Sequence, residues 1–253
     1  MSENKFIKYP RYLFRKKLAL DLIKNYVPKK TYFLDIGCGS GDFAFSLIKS
    51  NYMGHLIDFS KKAAKIIKNR IKEEKSKELK FSQIDFLKFK TNKKFGLITF
   101  FEVLEHIEND QDFLDKINFL LNSNGYIVFS VPARRKYWGI DDKLVGHFRR
   151  YEKAELINFL GKNNFQIIKF YSYGFPFLNL LKLIRIIFAR REKNKILTRS
   201  KYELSQKSGL NFVKLPLISL ISNKYVLYSF IQFSKLFNRF DLSEGYLCIA
   251  KKL

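Results

Sequence analysis

Along residues 32–131, short apolar runs alternate with stretches whose apolar positions recur at helical spacing. The runs at 32–36, 53–58, 79–84, 95–101 and 125–131 predict strands, and the stretches at 42–49, 60–74 and 110–121 predict helices. In the last of these, Phe113, Leu114, Ile117, Leu120 and Leu121 share one face, and Asn122-Ser123-Asn124-Gly125 is expected to end it. Strands alternating with helices predict a parallel, doubly wound α/β sheet with crossover helices on both faces. Upstream, Ala19, Leu22, Ile23 and Tyr26 recur at helical spacing between Arg11 and Val27. Arg15, Lys16, Lys17, Asp21 and Lys24 interrupt that stretch, so it reads as an amphipathic packing helix and not as a signal peptide.

Beyond Pro132 the pattern changes. Ala133–Tyr151 reads as a long loop rich in charge and aromatics, followed by a helix over 152–160 and a strand over 165–173. Residues 245–250 form another apolar run, which leaves 174–241 as an insertion within one domain spanning 1–253. The insertion holds two apolar stretches, Phe177–Ala189 with Asn179, Lys182 and Arg185 on a narrow polar stripe, and Leu215–Phe237. Neither reaches the roughly 18 uncharged apolar residues of a membrane span, so a helical cap, a homodimer surface or an interfacial element is expected.

The strand at 32–36 runs into a turn with alternating glycines, Asp35-Ile36-Gly37-Cys38-Gly39-Ser40-Gly41. Glycine serves where the backbone takes positive φ or a ligand comes close. Asp35, two residues before the first glycine, would repel a pyrophosphate but suits a ligand carrying an ammonium and a sulfonium. A second acid, Asp58, ends the next strand, where a carboxylate can accept ribose hydroxyls. Ser60 is placed to cap the helix that follows.

With 253 residues the chain is sized for one α/β domain with an elaboration. Its net charge of +25 is spread along the whole length and favours anionic partners, although Lys, Asn, Ile and Phe would also rise together in an AT-rich coding sequence. Cys38 and Cys248 give no disulfide framework, so a cytoplasmic location is expected, peripheral at the inner membrane face if the insertion is interfacial.

These motifs resemble the class I S-adenosylmethionine (SAM)-dependent methyltransferases over most of the chain. The resemblance rests on Asp35–Gly41, Asp58, Gln83-Ile84-Asp85-Phe86, Phe95–Ile98, Glu102–Ile107 and Gly125–Pro132. Tyr137 through Gly146-His147-Phe148-Arg149-Arg150-Tyr151 is similar to a branch associated with surface glycans and lipids. The resemblance implies a Rossmann-like sheet of seven strands ending in an antiparallel hairpin, with the insertion before the last strand. It implies SAM as cofactor: Asp35 would orient the ammonium side, Gly37, Gly39 and Gly41 would let the backbone approach, and Asp58 would bind ribose. Phe59 would cover adenine, Asp85 and the Phe86 N–H would meet its edge, and Glu102 would complete the contacts.

An O or N acceptor must lose a proton on methylation, and histidine is the natural base. His55 falls in a strand and reads as structural, whereas His106 and His147 can face the acceptor, with His147 favoured. Glu102, Glu105 and His106 form E-x-x-E-H, which resembles the metal motif of small-RNA 2′-O-methyltransferases and ubiquinone-pathway O-methyltransferases. With His147 they would suit a divalent ion, or the acids cap a turn and hold His106; no metal site is assigned. Arg134, Arg135, Arg149 and Arg150, with Tyr137, Trp138, Phe148 and Tyr151, could grip a phosphate or a base or form a solvated rim, and Asp141 and Asp142 suit a sugar.

The leading expectation is methyl transfer to O or N of a small-molecule or lipid- or glycan-linked acceptor. RNA 2′-O-methylation is the alternative, opposed by the lack of an N-P-P-Y tetrapeptide after the fourth strand and of any recognisable RNA-binding module. SAM binding without methyl transfer is a third.

Overall fold

The computed structural model describes residues 10–182 and 224–253. Seven strands form one sheet in the order β3-β2-β1-β4-β5-β7-β6. They are β1 (Tyr32–Ile36), β2 (Met53–Asp58), β3 (Leu79–Gln83), β4 (Phe95–Phe101), β5 (Leu121–Pro132), β6 (Phe165–Ser172) and β7 (Gly245–Lys252). The first five run parallel, and β7 lies antiparallel between β5 and β6. This is the seven-stranded sheet that the resemblance implied.

The alternation of side chains along a strand builds two cores. On β1, Phe33 faces one and Leu34 the other; on β5, Val128 is flanked by Ile127 and Phe129 pointing oppositely. One core is closed by α4 (Asp110–Leu120) and α6 (Lys153–Lys162) through Phe113, Leu114, Ile117, Leu156 and Leu160. There Phe100 stacks on Phe129 at 4.8 Å between ring centres, and the edge of Phe113 meets Phe100. The other is closed by α1 (Pro10–Tyr26), α2 (Asp42–Ile48) and α3 (Lys61–Glu73). Phe14, Leu18, Ala19, Leu22 and Ile23 make the buried face of α1, and Ser60 caps α3 by accepting the Ala63 N–H.

Two local expectations change. The helix ends at Leu120, but the strand expected over 125–131 starts earlier: Leu121 already pairs with Phe95, and Asn122–Gly125 form an irregular start of β5. Ala133–Tyr151 contains a short 3₁₀ turn (Arg135–Tyr137) and α5 (Ile140–Val145), closed by Gly146 at φ +79°. Within 174–241, a helix begins at 177 and α7 spans Lys224–Lys235. Residues 183–223, which hold most of the two apolar stretches, lie outside the described residues. Among the described residues, no helix is long and apolar enough to cross a membrane.

Gly54 shows how tightly β2 packs, because a Cβ there would stand 2.6 Å from the Phe33 ring. Gly54→Ala is predicted to cost about 1–3 kcal/mol by overpacking, seen as a lower urea midpoint; an unchanged midpoint would mean that Phe33 yields freely.

Candidate functional site

The carboxyl ends of β1, β2 and β4 meet at the glycine turn. Gly37, Gly39 and Gly41 take φ of +66°, +56° and +72°. A Cβ on Gly37 would lie 2.6 Å from Val103, and one on Gly41 would press on the Phe45 ring, whereas at Gly39 it would meet nothing within 4 Å. Closely packed ends and an open centre make a backbone cradle. The turn is pinned to β2, since the Gly37 and Cys38 N–H groups both donate to the Ile57 carbonyl at 2.8 and 3.2 Å. Asp58 accepts from the Gly39 N–H at 2.9 Å on one oxygen and from the Ser60 N–H at 2.8 Å on the other. Each oxygen keeps a lone pair, so the carboxylate that shapes the turn can also accept from a ribose.

Asp35 lies deeper than expected. It is 2% exposed, accepts the Thr99 hydroxyl at 2.7 Å, and is pushed up to about 7 by burial, with the Thr99 hydrogen bond opposing. It sets the potential beneath the turn. Asp85 caps the 3₁₀ turn Phe86–Lys88 by accepting the Leu87 N–H at 2.8 Å. The Phe86 ring is buried against Phe113, and Phe59 is half-buried at the end of β2.

Glu102 follows β4 with φ +56°. Its carboxylate accepts from Arg11 and from the Ser130 hydroxyl at 2.8 Å each, with Arg15 at 3.3 Å. Burial would raise its pKa, but the two arginines and Ser130 outweigh burial and bring it down to about 2. Glu105 is the opposite case. It is fully buried, neither carboxyl oxygen has a hydrogen-bond partner, and burial followed by the Glu102 charge drives its pKa well above the ordinary value. Burial without a hydrogen-bond partner therefore favours the protonated form of Glu105.

His147 is held from behind. Its Nδ1 lies 2.8 Å from Asp142, whose carboxylate also takes the Arg150 Nε at 2.9 and 3.0 Å and the Gly139 N–H at 2.8 Å. Burial opposes the charge on Asp142, but these donors keep it ionised. An ionised carboxylate only accepts, so Nδ1 bears a proton, and Nε2 faces Glu105, 3.7 Å away. The Phe148 N–H donates to the Glu105 carbonyl at 2.8 Å, locking this loop to the turn after β4. The His106 ring meets His147 edge-on at 4.8 Å; burial, then His147, lowers its pKa to about 4, and its Nδ1 is buried without a partner.

Glu105, His106 and His147 offer ligand atoms within 4.8 Å of one another, a donor set that fits a divalent ion. Glu102 stands apart from them because Arg11 and Arg15 hold it. His55, by contrast, bonds Ser82 and packs on Phe89, as a structural histidine should. Three of the four loop arginines, Arg135, Arg149 and Arg150, line one cavity with Asp110 and Glu155, and an acid holds each: Arg150 clamps Asp142, Arg149 pairs with Asp110 and Arg135 with Glu155, while Arg134 donates to the Asp241 carbonyl. Asp142 likewise orients a histidine from a buried position and is withdrawn from any sugar. Arg11, Arg15 and the Asp142–Arg150 clamp went unrecognised in the sequence. The five-residue step from Asp142 to His147 was a usable signal, and the arginines of α1 had none.

A seven-stranded sheet in this order, with β7 antiparallel and a glycine turn after β1, is the fold of the class I SAM-dependent methyltransferases. A model described as a methyltransferase domain matches residues 28–167, and the chain belongs to this family. The ubiquinone biosynthesis O-methyltransferase of Pelagibacter ubique is 28% identical over 166 residues, 60% of this chain and 68% of that protein. A malonyl-[acyl-carrier protein] O-methyltransferase of Ilyobacter polytropus is 30% identical over 112 residues, 44% of this chain and 43% of its own length. An uncharacterised Methanocaldococcus jannaschii protein is 32% identical over 136 residues, 53% of this chain and 50% of that one, so the chain spans about half the length of the first curated relatives it matches. Among solved structures, the [4+2]-cyclase SpnF superposes with a TM-score of 0.58 at 17% identity, covering 94% of this chain and 80% of that one. The Synechocystis magnesium protoporphyrin IX methyltransferase, with S-adenosylhomocysteine bound, gives 0.54 at 16% identity, covering 67% and 81%. These likenesses are to the fold.

Asp35 supplies a pH test. Its folded pKa of about 7 lies above the ordinary 3.8, so its contribution to stability is full below about pH 4 and is lost as pH rises through 7. The thermal midpoint of Asp35→Asn should vary less between pH 4 and 7 than that of the wild type; parallel curves would show that Asp35 is ionised in the fold.

Proposed function

We propose that the protein is a SAM-dependent methyltransferase acting on an O or N atom of a lipid- or glycan-linked acceptor, with His147 as the base. The observation that carries this reading is the Asp142-oriented His147, whose free Nε2 lies at the carboxyl edge that also holds the glycine cradle. SAM, when bound, supplies a methyl group already activated on a sulfonium. Nε2 would take the proton that the acceptor atom loses on methylation. Asp142 stabilises the imidazolium, and Arg150 and Gly139 keep Asp142 from moving. Asp58 and the turn glycines hold the adenosyl half, with Phe59, Asp85 and the Phe86 N–H at the adenine. Two of the curated relatives are named as O-methyltransferases, which supports oxygen as the acceptor atom. Because SpnF is named as a cyclase, the fold alone does not choose the reaction.

A second reading is favoured by the bare Glu105 carboxyl. There Glu105, His106 and His147 would hold a divalent ion that polarises an acceptor hydroxyl, as RNA 2′-O-methylation would also allow.

The lipid-linked acceptor is supported by the surface around α7. Val226, Tyr228, Phe233, Leu236 and Phe240 are exposed beside Lys235 and Arg239, and residues 176–241 carry 13 Lys and Arg against 3 acids. Tyr137 donates to the Leu242 carbonyl and accepts from Asn179, so the loop before His147 is tied to both ends of the insertion. An anionic bilayer is the partner we assign to this face, with a second copy of the chain as the competing occupant. With that partner, the location we propose is the cytoplasm, at the inner membrane surface.

His147→Ala should lower turnover by about 10²–10⁴ and leave SAM affinity unchanged; lost affinity would remove His147 from the base role. Chelation that abolishes activity, restored by a divalent ion, would favour the metal reading. Labelled methyl should enter lipid or glycan extracts, and label found solely in RNA would overturn the acceptor class. Vesicles with anionic lipid should float the protein while neutral vesicles do not; indifference to both, with a dimer in solution, would give the α7 face to a second copy.

A further inference from the structure

Lysines crowd the edge of the sheet at β3, where residues 61–94 hold 13 Lys and Arg against 4 acids. Along α3, Lys61, Lys65, Lys68 and Lys72 recur at steps of four, three and four, turned away from the buried Ala63, Ala64 and Ile67, and all four are exposed. They form a ladder about 16 Å long. Arg70 in the same helix pairs with Glu74, but among the described residues no acid pairs with any rung. Like charges one turn apart repel, and Lys61 and Lys62 add positive charge to a first turn that has no acid, where the helix dipole is already positive. A helix selected for stability alone would intersperse glutamates. The loop arginines Arg135, Arg149 and Arg150 show the contrast, since an acid holds each of them.

The lysines continue round the edge. α3 packs through Ile67 into one core, whereas the segment between β3 and β4 packs through Phe86 and Phe89 into the other. That segment brings the exposed Lys88, Lys90 and Lys93 to the second face, and Lys80 lies on the edge strand between. Lys80 and Lys93 meet at His55, whose pKa is lowered first by burial and then by their two charges. Lys93 also stands over the Tyr32 ring, 3.5 Å from its centre.

Anionic partners differ in what they need. A protein interface is poor in lysine and centres on aromatic or arginine anchors, yet Leu87 is the one large apolar side chain exposed between 61 and 94. A bilayer is flat and takes up the apolar side of a helix, and the apolar side of α3 is spent on the core. A single nucleic-acid strand bends round an edge, carries a phosphate at every step and needs no apolar anchor.

We infer that α3 and the β3 edge bind single-stranded nucleic acid through its phosphates, without reading its bases. This surface is separate from the face assigned to a bilayer: β3 and β6 close opposite ends of the sheet, and Asn238, just after α7, bonds to Ser172 of β6. Binding here retains the protein on the polymer and does not require the polymer to be the methyl acceptor.

Fluorescence anisotropy with a labelled, mixed-sequence RNA strand of about 20 nucleotides tests the inference. The wild type should bind it, with log K falling linearly against log salt at a slope of about −3, as four or five phosphate contacts require. The triple variant Lys65→Glu, Lys68→Glu, Lys72→Glu should bind roughly 10-fold more weakly or worse, with a shallower slope. A control with Lys29→Glu, Lys162→Glu and Lys169→Glu changes the net charge equally at exposed positions elsewhere and should bind like the wild type. If the charge-reversed helix does not fold, Lys65→Gln with Lys72→Gln gives the same comparison. Equal losses in the two triple variants, no binding at low salt, or tighter binding of anionic vesicles or polyglutamate to the same lysines would each overturn the inference.

Discussion

Four carboxyl groups crowd the ends of three adjacent strands, and everything in the site follows from how each is stabilised away from water. An isolated buried carboxylate is too costly to keep ionised, so each must be hydrogen-bonded, paired or protonated. Asp58 takes two backbone N–H groups, and in doing so shapes the glycine turn. Asp35 takes one hydroxyl, and burial pushes its pKa up to about 7. Glu102 takes two arginines, which hold its pKa down, while Glu105, three residues on, has no hydrogen-bond partner and is pushed towards its protonated form by burial. Acids of one chemical type thus acquire separate tasks from their surroundings alone.

The same reasoning explains the acceptor side. His147 could be pinned by its neighbours or aimed by them, and Asp142 decides in favour of aim by claiming Nδ1. Arg150 holds Asp142 through Nε, while its Nη1 reaches the Ala133 and Glu244 carbonyls. Glu244 in turn lies 3.6 Å from Arg11 and 3.8 Å from Lys182 at the start of the insertion. Ion pairs and hydrogen bonds, two of them to backbone carbonyls, therefore link α1, the loop carrying His147 and the segment before β7.

Most of the fold was legible because strand alternation and helical spacing are local. Phe33 and Leu34 had to face opposite cores wherever the strand was placed, and the cradle announced itself through three glycines and two acids at fixed spacing. The contacts that decide chemistry were not legible, for they are made by residues far apart in sequence. Arg11 reaches Glu102 across 91 positions, and α1 reads as an ordinary amphipathic helix until the sheet beneath it is known. The loop arginines misled for a related reason: charge and aromatic content revealed a basic surface but not that Asp110, Asp142 and Glu155 would each claim one arginine.

The central claim is that the glycine turn and Asp58 cradle an adenosyl sulfonium donor lying from β3 towards β4. A crystal structure after soaking with S-adenosylhomocysteine tests it most directly. The account predicts ribose hydroxyls on Asp58, the ligand's backbone passing over Gly39, and its amino-acid end beside Glu102. Clear density for the protein with no ligand at the turn, or a ligand running the other way along the strand ends, would contradict it.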